Sequence, residues 1–313
     1  MASAKYKSIS TKFGFFTDSH FSVIRQDFRT DSFFESVLFK LKQIYEHFEK
    51  EGCEFVLFGG DFFDKYSSNS KPMIRQIRDI IISSKLTTYF IIGQHDLNGY
   101  NRETYSGSNL GFLEAICDGK LVLISDHLEV GGIHVYASHV DQAPDKVLSS
   151  IPENLRKPVV VLVHSLLCEK AGFPGVIDVH SLPKTRANLV LSGDLHSGCL
   201  ETESKGTIFY NPGSLARTSR ENRKPKACVV TISPLMDDWA ISIEDFFPKC
   251  EDYPFPVQEE KIEVSKEQDS EKYVEAFEKF KAESKDIYER LEKVGKEHGM
   301  DKKVLDYILT KRK

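Results

Sequence analysis

Phe55-Val56-Leu57-Phe58-Gly59-Gly60-Asp61-Phe62-Phe63-Asp64 is a short apolar run that breaks into two glycines and a carboxylate. A run apolar at every position, rather than every second one, belongs to a strand buried on both faces, in a sheet covered by other layers. The glycines permit a tight turn and a close backbone approach. Asp61 is therefore expected at the carboxyl end of a buried strand, where open α/β sheets assemble their sites.

The same arrangement recurs along the chain. Asp18-Ser19-His20 follows a strand expected over Lys12–Thr17, and Gly93-Gln94-His95-Asp96 follows one over Thr88–Ile92. His164-Ser165 follows Val159–Val163, and Gly193-Asp194-Leu195-His196 follows Leu189–Leu191. Further strands are expected over Leu121–Ile124, His134–Ala137, Thr207–Tyr210, Ala227–Ile232 and Ala240–Ile243. Two helices are expected. Asp31–Lys50 repeats Phe34, Val37, Leu38, Leu41, Ile44, Tyr45 and Phe48 at helical spacing, and Pro72–Ser83 starts with a proline in its first turn.

The spacing Asp-x-His predicts that Asp18 and His20 point to one side of an extended segment, as would Asp194 and His196, because strand side chains alternate. Mixed carboxylate and imidazole donors suit Mn²⁺, Fe or Zn²⁺, whereas a magnesium or calcium cage uses mostly oxygen.

Composition sets bounds on the function. The 313 residues suffice for one large α/β domain and an appendage, with 40% hydrophobic and 28% charged residues. A net charge of −5 gives no global attraction to nucleic acid, so any such binding must come from a local basic patch or a partner. No apolar run reaches membrane-span length, and Met1 to Lys7 shows no secretory h-region. The six cysteines form no CxxC pair, as expected of reduced thiols in a cytoplasm.

Beyond Pro248 the composition changes. Pro254 and Pro256 bracket an extended linker, and Glu271 to Lys293 sets Tyr273, Phe277, Phe280, Ile287 and Leu291 among lysines and glutamates at mostly helical intervals. Gly299 breaks that pattern and Asp301 can cap a last helix carrying Leu305 and Leu309. Three parts are expected: a catalytic domain over 1–226, a small β extension and linker over 227–256, and a charged helical module over 257–313.

The ordered blocks D-x-H, G-D-x-x-D, G-Q-H-D, H and G-D-x-H resemble the signature of the calcineurin-like metallophosphoesterases, from Phe13 to about Ser214. Any one block is weak; five in order at strand ends are specific. The resemblance implies a four-layer α/β/β/α sandwich with a small C-terminal β and helical appendage, acting as a two-metal hydrolase. It gives Asp18, His20, Asp61 and His196 to one divalent ion, with Asp61 bridging to a second held by Gln94, His164 and Asp194. His95 would protonate the leaving oxygen, with Asp96 holding its tautomer. Two positions depart from the pattern. Gln94 stands where the family usually has Asn, and Asp194 where it usually has His, which favours a harder ion such as Mn²⁺ or Mg²⁺.

Within that family the chain is similar to the nuclease subunit of SbcC–SbcD-type DNA repair complexes. The bulky filling of Gly60-Asp61-Phe62-Phe63-Asp64, the Asn211-Pro212-Gly213-Ser214 element and the charged tail carry that likeness. It implies a phage or bacterial DNA exonuclease or single-strand endonuclease, dimeric, and docked on a coiled-coil ATPase through the tail. Arg217, Arg220, Arg223, Lys224 and Lys226 follow Ser214 closely and could hold DNA phosphates. A small-molecule phosphodiesterase or phosphatase, or a metal-poor scaffold, are the alternatives. Asp64 is expected to support its loop, Asn98 to Ser108 could shape the substrate groove, and His47, His127, His134, His139 and His180 are expected to be structural.

Overall fold

The structure, a computed structural model, describes residues 10–24, 29, 31–67, 70–169, 175–218, 224–236 and 238–249. The helical module expected over 257–313 lies outside them, as does the linker.

In chain order the first elements are β1 (Thr11–Phe16), α1 (Phe33–Lys50), β2 (Phe55–Phe58), α2 (Lys71–Ser83), β3 (Thr88–Phe90), α3 (Asn109–Ile116) and β4 (Leu121–Leu123). Next come β5 (His127–Val130), β6 (Ile133–Ser138), α4 (Pro144–Ser150), β7 (Val159–His164), β8 (Leu167–Cys168) and β9 (Ile177–Asp178). The last are β10 (Leu189–Gly193), β11 (Cys199–Ser204), β12 (Thr207–Asn211), β13 (Ala227–Pro234) and β14 (Trp239–Phe246).

Two six-stranded sheets form, ordered β14-β13-β1-β2-β3-β4 and β11-β12-β10-β7-β6-β5. Their centres are parallel, and β13, β14, β11 and β5 add antiparallel partners towards the edges. Parallel strands must be covered on both faces, and the apolar residues divide accordingly. Phe13, Phe15 and Leu57 of the first sheet meet Val160, Leu162 and Leu191 of the second in the central core. Phe16, Val56 and Phe58 turn outward onto Val37, Leu41 and Phe48 of α1. On the opposite face Val161, Val163 and Val190 pack under Leu148 of α4, with Val179 and Leu182. This is the expected α/β/β/α sandwich, with its second helical layer reduced to α4 and short loops. Gly14 lets α1 lie close, since a Cβ there would meet the Phe48 ring at 2.3 Å.

The strands expected as an extension after residue 226 are not separate from this fold. β13 pairs antiparallel with β1 and carries β14 on its far side. The reason lies in its own pattern: Ala227 and Val229 face the helices while Cys228, Val230 and Ile232 face the central core. A strand apolar on both faces needs both covers, and the edge of β1 supplies them. Among the described residues no helix is long and apolar enough to cross a membrane.

Candidate metal centre

The strand-end loops do not carry their ligands on extended backbone, as the period-two reading of Asp-x-His expects. Asp18 has φ 54° and His20 φ 43°, and Asp61 and Asp194 are left-handed too, at 56° and 72°. Such conformations cost a non-glycine residue on the order of 1–3 kcal/mol and persist only where the surroundings impose them. Here they are imposed by backbone pairing: Asp18 N–H donates to Gly60 O (3.0 Å), His20 N–H to Asp61 O (3.1 Å) and Phe21 N–H to Phe62 O (2.9 Å). The two loops are thereby stitched together, and the left-handed backbone at Asp18 and His20, on either side of Ser19, turns both side chains into one cluster.

In that cluster His20 Nε2 lies 3.0 Å from His196 Nε2, 3.7 Å from Asp18 Oδ1 and 3.8 Å from Asp61 Oδ2. His196 Nε2 is 3.5 Å from Asp18 Oδ1, and His164 Nε2 is 3.5 Å from Asp61 Oδ2. Two nitrogens bound about 2.1 Å from one ion at tetrahedral or octahedral angles stand about 3.0–3.4 Å apart, so the imidazole pair has ligand spacing. Asp18, His20 and His196 form one compact donor group, Asp18, Asp61 and His164 a second, and His20, Asp61 and His95 a third.

Unpartnered atoms point the same way. Asp61 Oδ2, His164 Nε2 and Gln94 Oε1 are buried without hydrogen-bond partners. His164 Nδ1 faces the Gly59 carbonyl at 2.6 Å, and a carbonyl only accepts, so Nδ1 carries a proton and Nε2 is the nitrogen turned to Asp61, with a lone pair there whenever the ring is neutral. A buried lone pair aimed at a carboxylate oxygen is costly unless a cation lies between them. The donor set fits a pair of divalent ions.

The charges agree with that fit. Burial works against ionising Asp18, yet the neighbouring imidazoles of His196 and His20 and the charge of His164 outweigh it and hold the carboxyl well below its usual range. Asp61 is lowered likewise, by His164 above all, against its burial. Burial works against protonating His164, but Asp61 overrides this and raises it to about 10. Protons here occupy the places that cations would take.

Three glycines make room. A Cβ on Gly60 would meet His164 Nδ1 at 2.5 Å, one on Gly93 would meet Asp61 Oδ1 at 2.2 Å, and one on Gly193 would meet Thr17 Oγ1 at 2.4 Å. Close approach of the backbone, expected from the residue type, is therefore required at each strand end.

Asp96 has a different role from the one expected. It does not touch His95. Its carboxylate accepts N–H groups of Asp61 (3.0 Å), Phe62 (3.1 Å) and Gly93 (3.0 Å), clamping the Asp61 loop to its own. Burial and the charge of Asp61 push its carboxyl up to about 7, against the lowering effect of these donors. The tautomer of His95 is set instead by the Asp64 carbonyl, which accepts its Nδ1–H at 2.7 Å. His95 Nε2 is left 4.0 Å from Asp61 Oδ2, on a side chain 41% exposed.

Gln94 and Asp194 come together, but Asp194 belongs to none of the compact donor groups. Its Oδ1 accepts the Gln94 amide at 2.7 Å, and its N–H donates to the Asp18 carboxylate. The compact group on this side is Asp18, Asp61 and His164, and Gln94 Oε1 is buried without a hydrogen-bond partner.

Of the supporting residues, Thr17 and Thr218 carry no local sequence signal, whereas Asn211 and Ser214 belong to the Asn-Pro-Gly-Ser element. Thr17 Oγ1 donates to Asp18 Oδ2 (2.6 Å), and Thr218 Oγ1 lies 3.1 Å from His196 Nδ1. Asn211 Nδ2 donates to the carbonyls of Gly193 and Leu195, both at 3.3 Å, and Ser214 Oγ donates to the Asp18 carbonyl (2.8 Å). The Asn-Pro-Gly-Ser element is a brace joining the Asp18 and His196 loops. Of the basic run, Arg220 and Arg223 lie outside the described residues, Arg217 is half-buried and Lys224 exposed. Lys226 is paired with Asp245 at 3.0 Å. His139 is structural, accepting Ile92 N–H and donating to Ser125 O, each at 3.0 Å.

The fold and the centre define a metal-dependent phosphoesterase. A model of the calcineurin-like phosphoesterases matches residues 11–198, and the chain belongs to that family. Its fold uses a dinuclear divalent-metal site. A search of curated protein sequences gives no match. Among solved structures the chain is similar to a dimetal phosphatase from Danio rerio, with 12% identity, TM-score 0.52 and coverage of 77% of this chain and 99% of that one. It is also similar to a Staphylococcus aureus protein assigned as a 5′-nucleotidase, with 14% identity and TM-score 0.50, covering 80% of this chain and 56% of that one. Identities this low extend to the shared fold alone.

Proposed function

We propose that the chain is a Mn²⁺-dependent DNA nuclease, cleaving phosphodiester bonds as the catalytic subunit of a repair or recombination complex. The observation that carries this reading is the contact of His196 with Thr218. Thr218 follows Arg217 in sequence and precedes Arg220, Arg223 and Lys224, whose arginine and lysine side chains would hold phosphates flanking the scissile one. Asp18, His20, Asp61 and His196 would hold one ion, and Asp61, His164 and Gln94 the second. When bound, the ions activate water and stabilise the charge developing on phosphorus. The chain supplies the rest. His95, its Nδ1–H held by Asp64 O and its Nε2 turned towards Asp61 on a part-exposed side chain, would carry the proton to the leaving oxygen. The proposal extends to a dimer in the cytoplasm, with the tail over 257–313 docking on a coiled-coil ATPase.

A small-molecule phosphodiesterase is the second reading, favoured by the Lys226–Asp245 pair, which removes one cation from the basic run. Labelled single- and double-stranded DNA and bis-p-nitrophenyl phosphate, incubated with Mn²⁺ or EDTA, separate the two. Mn²⁺-dependent DNA cleavage lost in His95→Ala supports the nuclease. Turnover of the small ester with DNA left intact supports the second reading.

A further inference from the structure

A cavity of about 300 Å³ opens beside the metal centre, lined by Lys65, Tyr66, Gln94, His95, Leu97 and Tyr100. Its wall carries a feature that folding does not explain. Asn98-Gly99-Tyr100-Asn101 is a tight turn closed by Asn101 N–H donating to Asn98 O at 3.2 Å. Gly99 and Tyr100 both have positive φ, at 59° and 60°. Turns with two left-handed central residues strongly prefer glycine at the second, and a bulky residue there is an outlier held at a cost. Tyr100 offsets none of that cost by burial, because it is 64% exposed. Strain of this kind at the rim of a catalytic cleft points towards a role in function.

The surroundings indicate the role. Leu97, at 4% exposure, is an apolar residue in the cavity lining, and Tyr100 offers a free aromatic face. Lys65 is exposed on the loop whose Asp64 carbonyl positions His95. A flat ring beside a cation, next to the group that would serve the leaving oxygen, matches a nucleotide: base on the ring, neighbouring phosphate on the ammonium.

We propose that this cavity is a nucleobase subsite, in which Tyr100 stacks on the base next to the scissile phosphate and Lys65 holds the adjoining phosphate. The subsite rests on the reading of the chain as a nuclease, and deepens it to single-stranded or locally unpaired substrate, since a stacked base must leave its own duplex.

The test uses Tyr100→Gly, because glycine suits this turn and removes the ring without threatening the fold; Tyr100→Phe keeps the stacking face. Fluorescence anisotropy with Mn²⁺ present would compare a hydrolysis-resistant phosphorothioate single-stranded hexamer with its base-free counterpart. The unsubstituted protein is expected to prefer the base-containing strand by about tenfold. Tyr100→Gly should lose that preference with unchanged affinity for the base-free strand and an unchanged or raised Tm, and Tyr100→Phe should retain it. Equal affinity of the unsubstituted protein for both strands, binding of neither, or a preference that survives Tyr100→Gly overturns the subsite. Cleavage of ordinary DNA by the unsubstituted protein is scored separately. Its absence would refute the nuclease reading even where the base preference holds, and its presence would preserve that reading where the preference fails.

Discussion

Gln94 donates its side-chain amide to Asp194 at 2.7 Å, so the two positions at which this chain departs from the usual family pattern are in direct contact. An aspartate carboxylate can only accept, and it therefore fixes which way the amide lies. The NH₂ group turns to Asp194, and the carbonyl oxygen is left buried and unpartnered as a donor to an ion. Asp194 Oδ1 thereby orients the Gln94 amide, whatever its second oxygen does.

This contact predicts that the two positions are energetically coupled. Gln94→Asn shortens the amide away from Asp194, and Asp194→His leaves the amide without its acceptor. Each single substitution should weaken Mn²⁺ binding about tenfold or more, while the double substitution restores the usual pair and loses less than the two combined. Residues in one hydrogen-bonded network couple by about 0.5–3 kcal/mol. Titration calorimetry with Mn²⁺ on the four proteins measures this. Strictly additive losses would show the contact to be incidental.

Asp96 is predicted to act on stability, not on the proton of His95. It accepts three backbone N–H groups from two loops while almost fully buried. Asp96→Asn leaves one accepting oxygen and places an amide NH₂ among donors. Unsatisfied buried groups cost about 1–3 kcal/mol each, so a loss of about 2–4 kcal/mol is expected in urea unfolding. Metal content should fall with it, because the Asp61 loop is no longer clamped. A variant as stable as the parent, with a shifted pH profile of activity alone, would return Asp96 to the role of orienting His95.

What could be read in the chain beforehand follows a physical line. Val159–Val163 and Phe55–Phe58 are apolar at every position because both faces are covered, and they announced themselves as buried strands. The edge strands His127–Val130 and Cys199–Ser204 alternate with exposed positions or carry charge, and no apolar run marks them. Four of the five ligand blocks were legible because each combines a strand end with a glycine or a paired donor, and His164 by its place at the end of the apolar run Val159–Val163. The partners of Asp96 were not, since backbone amides 34 and 35 residues away leave no trace in residue type. Nor was Thr218, whose hydroxyl matters only because the brace at Asn211 brings it to His196.

Gly93 offers a test of close approach. Its φ of −98° suits any residue, so the requirement is space alone. An added methyl would lie 2.2 Å from Asp61 Oδ1 and 2.5 Å from its N. Gly93→Ala must therefore displace Asp61, with overpacking costing about 1–3 kcal/mol. Both ions should be lost together, because His20, His95 and His164 all lie within 4.0 Å of Asp61 Oδ2. Elemental analysis of the purified variant would show it. Retention of one ion at full occupancy would mean that Asp61 does not serve both halves.

Thr218 tests the outer support of the better-specified half. Its hydroxyl is the partner of His196 Nδ1, and such partners orient a ligand ring and set its basicity. Thr218→Val keeps the shape and removes the oxygen. Loss of a partner of this type typically lowers metal affinity about 10- to 100-fold. Thr218→Ser keeps the hydroxyl and should recover most of that loss. The loss should fall on the ion held by Asp18, His20 and His196, while His164, held by Gly59 O, keeps its own. Mn²⁺ titration followed by electron paramagnetic resonance separates the two sites: a spin-coupled pair should give way to a single isolated ion. Equal weakening of both ions in Thr218→Val would place the hydroxyl in the loop fold at large, not in the tuning of His196.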